Sequence, residues 1–153
     1  MNRRIKKAAI LGSGVMGSAL ACHFANIGLE VVMLDIVPPD LPEDKKDDPA
    51  ARNAIADQSL KKALKSKPAP LYDKSFASRI TTGNFEDDLH RLADCDWILE
   101  AVVERLDIKK QVFEKVEEHR RPGSIISSNT SGIPISLMLE GRSEDFRKHF
   151  LGT

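Results

Sequence analysis

The tightest constraint on this chain is the run Gly12-Ser13-Gly14-Val15-Met16-Gly17, a G-x-G-x-x-G pattern between two segments of different periodicity. Before it, Ala8 to Leu11 is a short apolar run. After it, Val15 to Ala25 carries Val15, Ala19, Leu20 and Phe24 near a helical spacing. This reads as strand, turn, helix, the context in which the pattern marks a dinucleotide fingerprint. Gly12 permits the tight turn, Gly14 lets backbone approach a pyrophosphate, and Gly17 allows the helix to lie close on the strand. The pyrophosphate would rest on free N–H groups between Gly12 and Gly17, with the helix dipole adding about 1 kcal/mol. Simple turn-making is the alternative for the glycines alone. A G-K-[ST] sequence is absent, which disfavours triphosphate hydrolysis.

Gly28 is placed to stop the helix, and Val31 to Leu34 form a second apolar strand that ends at Asp35. A carboxylate there can accept hydrogen bonds from both hydroxyls of an adenosine ribose. A 2'-phosphate about 4 Å away would be repelled by roughly 4 kcal/mol at an effective dielectric of about 20. Ile36, Val37 and Pro38 offer no compensating cation, so the reading is NAD over NADP. The plain alternative is an acid that merely ends a strand.

The βα rhythm continues. Asn53 to Lys65 reads as a helix, Ile80 to Thr82 as a third strand, Asp87 to Leu92 as a helical turn, and Trp97 to Leu99 as a fourth strand ending near Glu100. Leu106 to Glu118 is a helix and Ser124 to Ser127 a fifth strand. Alternation of this kind predicts one α/β domain over 1–153, a Rossmann-type doubly wound, mainly parallel sheet with helices on both faces. The connection from Pro38 to Asp73 is long for a single helix, and nothing in its composition explains the excess.

Composition limits the partners. Twenty-three Lys plus Arg balance 23 Asp plus Glu, so no basic field exists to hold nucleic acid or an anionic membrane surface. Cys22 and Cys95 are far apart and form no C-x-x-C, which fits a reducing, cytoplasmic setting, and the histidines form no metal spacing. The basic Met1 to Lys7 followed by apolar Ala8 to Phe24 imitates a secretory signal. It is rejected because the glycines have their own chemical explanation and a strand resumes just after Gly28.

Three segments together resemble the NAD-binding domain of 3-hydroxyacyl-CoA dehydrogenases: Ile10 to Gly17, Glu100-Ala101-Val102-Val103-Glu104-Arg105-Leu106 with Lys109, and Ser128-Asn129-Thr130-Ser131. The resemblance implies NAD as cofactor and reversible oxidation of a 3-hydroxyacyl-CoA to the 3-ketoacyl-CoA in fatty-acid β-oxidation. It places Gly12, Ser13, Gly14, Val15, Met16 and Gly17 on the pyrophosphate and Asp35 on the ribose. Ala101, Glu104 and Lys109 would meet the nicotinamide half, and Ser131 the cofactor and the oxygen that changes between alcohol and ketone. Ser59 would touch the coenzyme A moiety, with Lys61, Lys62, Lys65 and Lys67 near its phosphates. Read from the residues alone, the alternatives are a helix start with Glu104 near its positive end and a solvated Lys109, a turn or helix cap at Ser128 to Ser131, and a solvated face for the lysines.

The family's general base is a histidine opening His-Phe-Phe-Asn-Pro, which follows directly after a stretch like Phe150 to Thr153. His149-Phe150 lacks the rest of that motif and is not assigned as catalytic. The chain is therefore expected to be a fragment that binds NAD without turnover. The base and the helical domain that completes the acyl pocket, and usually the dimer, would lie outside it. A stand-alone NAD-binding module and the cofactor domain of another NAD-dependent hydroxyacid dehydrogenase are the alternatives.

Overall fold

A computed structural model describes residues 4–153. Met1 to Arg3, part of the basic stretch weighed above, lie outside the described residues. The core is a six-stranded, wholly parallel sheet in the order β3-β2-β1-β4-β5-β6. Its strands are β1 (Lys7–Leu11), β2 (Glu30–Asp35), β3 (Ile80–Asn84), β4 (Trp97–Glu100), β5 (Ile125–Ser128) and β6 (Phe150–Gly152). The helices are α1 (Val15–Asn26), α2 (Pro49–Arg52), α3 (Ala54–Leu64), α4 (Leu106–His119), α5 (Ile135–Met138) and α6 (Glu144–Lys148). The strand order reverses between β1 and β4, which opens a crevice at the carboxyl edge.

Between their end residues the central strands are apolar because both faces are covered. On one face Ala8, Ile10, Val31 and Met33 pack with Ala21, Cys22, Phe24 and Ala25 of α1. On the other, Ala9, Leu11, Val32 and Ile98 pack with Phe113 and Val116 of α4. The apolar stretch that imitated a secretory signal is thus β1 and the buried side of α1. Gly28 closes α1 at φ +94°: its N–H donates to the Ala25 carbonyl at 3.1 Å, and the Leu29 N–H to that of Phe24 at 3.0 Å. That pattern satisfies carbonyls the helix end leaves open.

Differences from the expected elements are local. The third strand runs on to Asn84, the predicted helical turn is a 3₁₀ segment at Leu89–Asp94, and α5, α6 and β6 were not foreseen. Each of those three is five residues or fewer, too short to show a period. The long connection after Pro38 has a structural role. Besides the expected helix it holds α2, and polar side chains fasten it to the sheet edge. Arg52 reaches Asp87 and Glu86, both at 2.7 Å, Asn84 donates to Asn53 at 2.7 Å, and the Thr82 hydroxyl donates to Asp57. At its far end, Asn26 donates to the Pro70 carbonyl and accepts from the Tyr72 N–H, both at 2.9 Å.

Candidate cofactor site

Each glycine of the fingerprint meets a different demand. Gly12 sits at φ +100°, where a β-carbon would lie 2.6 Å from the Ala101 carbonyl oxygen. At Gly17 a β-carbon would lie 1.9 Å from the Gly12 carbonyl oxygen, so close packing at this position is against the turn itself as much as against Ile10. At Gly14 a β-carbon would meet nothing within 4 Å. That backbone is open toward the crevice. The amides of Val15, Met16 and Gly17 precede the first intrahelical bond, from the Ser18 N–H to the Gly14 carbonyl at 2.9 Å, and so belong to the helix end that accommodates anions.

Beside this turn lies a cleft of about 650 Å³. Gly12, Gly14, Val15 and Met16 form one wall, with Asp35 and Ile36 from the end of β2, Ala101 to Val103 from the end of β4, and Ile108, Gln111, Val112 and Lys115 from α4. The size and the largely apolar lining suit an organic cofactor. Phe85 and Leu89, after β3, and the α4 residues were not singled out from sequence. They come together only because β2, β3 and α4 converge on one side of the crevice. Among the described residues Lys115 is the one cation in the lining.

The Asp35 carboxylate faces the cleft and also holds the turn. Its Oδ2 accepts from the Ser13 N–H at 2.7 Å and the Ser13 hydroxyl at 2.5 Å, and its Oδ1 accepts from the Ile36 N–H at 2.7 Å. A carboxylate offers about four acceptor positions, so three are taken. One remains for a sugar hydroxyl unless the Ser13 hydroxyl turns away.

The predicted nicotinamide side has a different character. Ala101 lines the cleft. Lys109 is fully buried, which overturns the solvated alternative: its Nζ lies 2.8 and 2.9 Å from the two oxygens of Glu100 and 3.2 Å from Glu104 Oε2. Glu104 is partly exposed and clasps the turn after β5, where its Oε1 accepts from the Thr130 hydroxyl, the Ser131 N–H at 3.2 Å and the Gly132 N–H at 3.1 Å. The Thr130 hydroxyl above all holds the Glu104 carboxyl down, desolvation opposes it as the next largest effect, and the Gly132 amide and Lys109 add to the lowering, which brings the carboxyl to about 2. Ser131 is exposed beside it. Glu100, to which the sequence assigned no role beyond ending a strand and opening the resembling segment, is the buried partner of Lys109. An acid closing an apolar strand nine residues before a helix lysine was the available signal.

Other predicted residues lie elsewhere. Ser59 is half-buried on α3 and does not line the cleft, and the Lys61, Lys62, Lys65 and Lys67 side chains are exposed. His149 precedes β6, at the amino edge of a parallel sheet, with its ring Nδ1 2.7 Å from the Asp145 carbonyl oxygen. That is the edge opposite the cleft. Cys22 and Cys95 are unpaired and buried, and burial pushes the Cys95 thiol up to about 11. Among the described residues no helix is long and apolar enough to cross a membrane, and no cluster of three or more His, Cys, Asp or Glu is arranged to hold a metal ion.

The family profile described as 3-hydroxyacyl-CoA dehydrogenase, NAD binding domain, matches residues 7–153. A probable 3-hydroxyacyl-CoA dehydrogenase of Bacillus subtilis is 54% identical over all of this chain, and one of Deinococcus radiodurans is 50% identical over 97% of it. The chain spans 20% of the length of the first and 41% of the second. Among solved structures, (S)-3-hydroxybutyryl-CoA dehydrogenase from Ralstonia eutropha superposes with a TM-score of 0.69 at 28% identity, covering 97% of this chain and 48% of that one. The dehydrogenase part of a Caenorhabditis elegans multifunctional enzyme shares the fold, with a TM-score of 0.72 at 23% identity over 98% of this chain and 31% of that one. The chain belongs to the NAD-binding domain of the 3-hydroxyacyl-CoA dehydrogenase family.

Proposed function

We propose that residues 1–153 form the cofactor half of an enzyme that oxidises 3-hydroxyacyl-CoA to 3-ketoacyl-CoA with NAD, in a reducing, cytoplasmic compartment. One observation carries the reading: the open Gly14 backbone, the start of α1 and the Asp35 carboxylate all border a single cleft. The pyrophosphate would lie on the amides that open α1, the adenosine ribose on Asp35, and the adenine between Ile36, Phe85 and the apolar face of α4. When bound, NAD supplies the hydride acceptor.

The remaining roles follow from placement. Glu104 and the turn bearing Ser131 border the carboxyl edge past Ala101, where the nicotinamide end would come, and Ser131 would donate to the substrate oxygen. Lys109 contributes by holding Glu104, because it is fully buried with its ammonium bonded to Glu100 and paired with Glu104. Thr153 donates its N–H to the Ser128 carbonyl at 3.0 Å. The histidine that the family resemblance implies after a stretch like Phe150 to Thr153 would therefore enter at the same edge as Ser131. The coenzyme A moiety would run toward Ser59 and the lysines of α3. A helical domain in the remainder of such a protein would complete the acyl pocket and form a homodimer.

Calorimetry of this chain with NADH and NADPH tests the core of the reading. NADH should bind at least tenfold more tightly, and absence of NADH binding at millimolar concentration would overturn it. On a complete protein, turnover of acetoacetyl-CoA but not of simple 3-keto acids is expected. The reverse preference would point to a different hydroxyacid substrate.

A further inference from the structure

Between the ends of β4 and β5 the protein holds an ion pair fully withdrawn from water. Glu100 and Lys109 are both 0% exposed. The Lys109 ammonium donates to both oxygens of Glu100 and forms an ion pair with Glu104, whose Oε2 lies at 3.2 Å. Glu100 also accepts from the Val102 N–H at 2.7 Å and from the Ser128 hydroxyl. Among the described residues no buried side-chain nitrogen or oxygen is left without a partner.

Such a pair is a poor source of stability. Each ion loses hydration worth several kcal/mol, and apolar residues of the same size often serve a core as well or better. Its value here lies in what it fixes. The Val102 amide sets the path of the chain leaving β4, next to the Ala101 carbonyl against which Gly12 is packed. The Ser128 hydroxyl ties down the end of β5, and the Asn129 N–H donates to the Glu100 carbonyl at 2.8 Å. Lys109 passes the restraint to Glu104, which clasps the Thr130 to Gly132 turn. Glu100 thus stands at the centre of the bonds joining 101–104, 109 and 128–132.

We propose that Glu100 is a positioning residue for the nicotinamide end of the cofactor site, acting through Lys109 and Ser128 and touching neither cofactor nor substrate itself. This rests on the NAD reading above. A carboxylate is required because it presents acceptors alone to three donors: the Lys109 ammonium, the Val102 amide and the Ser128 hydroxyl. A glutamine of the same shape would turn an NH₂ toward one of them. Lys109 would then lean on Glu104 and draw it from the Ser131 turn. The adenosine and pyrophosphate contacts, built from β1, α1 and β2, would stay in place.

Titration of Glu100→Gln in this chain with NADH and with ADP-ribose tests this, since ADP-ribose lacks the nicotinamide ring. NADH affinity should fall at least tenfold while ADP-ribose affinity stays within threefold of wild type. Equal losses for both ligands, or no loss for either, would overturn the proposal. Should Glu100→Gln fail to fold, Ser128→Ala removes one bond of the set. A threefold or larger loss confined to NADH supports the proposal, and any other pattern overturns it. Failure of wild type to bind either ligand would instead bring down the underlying cofactor reading.

Discussion

Gly17 lies so close beneath the Gly12 carbonyl that a β-carbon on it would sit 1.9 Å from the oxygen. No rotamer change relieves that clash, because the obstacle is backbone. Gly17→Ala should therefore cost about 3 kcal/mol or more of folding stability, at or beyond the upper range for overpacking. Gly14→Ala should behave oppositely. Its φ of −59° suits alanine and its β-carbon would meet no protein atom, so stability should stay within about 0.5 kcal/mol of wild type. NADH affinity should nevertheless fall at least tenfold, because the methyl group occupies the space read as the pyrophosphate's. Thermal unfolding and calorimetry on the two variants separate the effects. A Gly14→Ala protein that binds normally would contradict the placement.

Asp35 can serve a ribose diol fully only if the Ser13 hydroxyl yields its place on Oδ2. The Ser13 amide would still hold the acid, at 2.7 Å. Ser13→Ala is accordingly expected to tighten NADH binding a few-fold, in line with about 1 kcal/mol for one hydrogen bond released from competition. Asp35→Asn should weaken NADH and narrow the preference over NADPH. A tenfold loss of NADH affinity in Ser13→Ala would show instead that the hydroxyl orients the carboxylate.

Glu104 gives the protein an acid-sensitive latch. Its carboxyl is held at about 2 in the fold, chiefly by the Thr130 hydroxyl and then by the Gly132 amide and Lys109, against an ordinary value of 4.5. A depressed carboxyl stabilises the fold fully above its unfolded value, and that contribution is lost as pH falls through the folded one. The loss should run from about pH 4.5 to about pH 2. Glu104→Gln should be less stable than wild type at neutral pH, and the gap should close across this window in melting temperatures taken against pH. A gap that is constant with pH would mean the carboxylate is not clasping the turn.

The readable parts of the sequence were those whose cause is local. A glycine at positive φ, an apolar run buried on both faces and an acid at a strand end each announce themselves within a few residues, and so Gly12 to Gly17, Asp35 and five of the strands stood out. The segments implied by resemblance converge on the carboxyl edge, but what their side chains do there was not legible. That Lys109 is buried depends on Glu100 from a different element, and that Asp35 is already occupied depends on Ser13, 22 residues away. β6 is three residues held by pairing with β5, a long-range cause that leaves no period in the chain. The excess length after Pro38 became intelligible only when Arg52 was seen to reach Glu86 and Asp87.

The buried pair supplies the last expectation. Lys109→Met leaves the fully buried Glu100 carboxylate uncompensated, and breaking such a pair from one side costs about 3 to 5 kcal/mol. The double variant Glu100→Leu, Lys109→Met removes both charges and fills the volume with apolar groups. It should regain much of that loss, but not all of it, because the Val102 amide and the Ser128 hydroxyl each lose an acceptor, at about 1 to 3 kcal/mol per buried donor. Denaturant unfolding of the wild type, both single variants and the double variant closes the cycle, and the double should be more stable than Lys109→Met alone. If the two single losses simply add, the charges are not coupled and the pair does not hold the ends of β4 and β5 together. A recovered fold that still binds ADP-ribose well and NADH poorly would show that the charges are kept for the site rather than for stability.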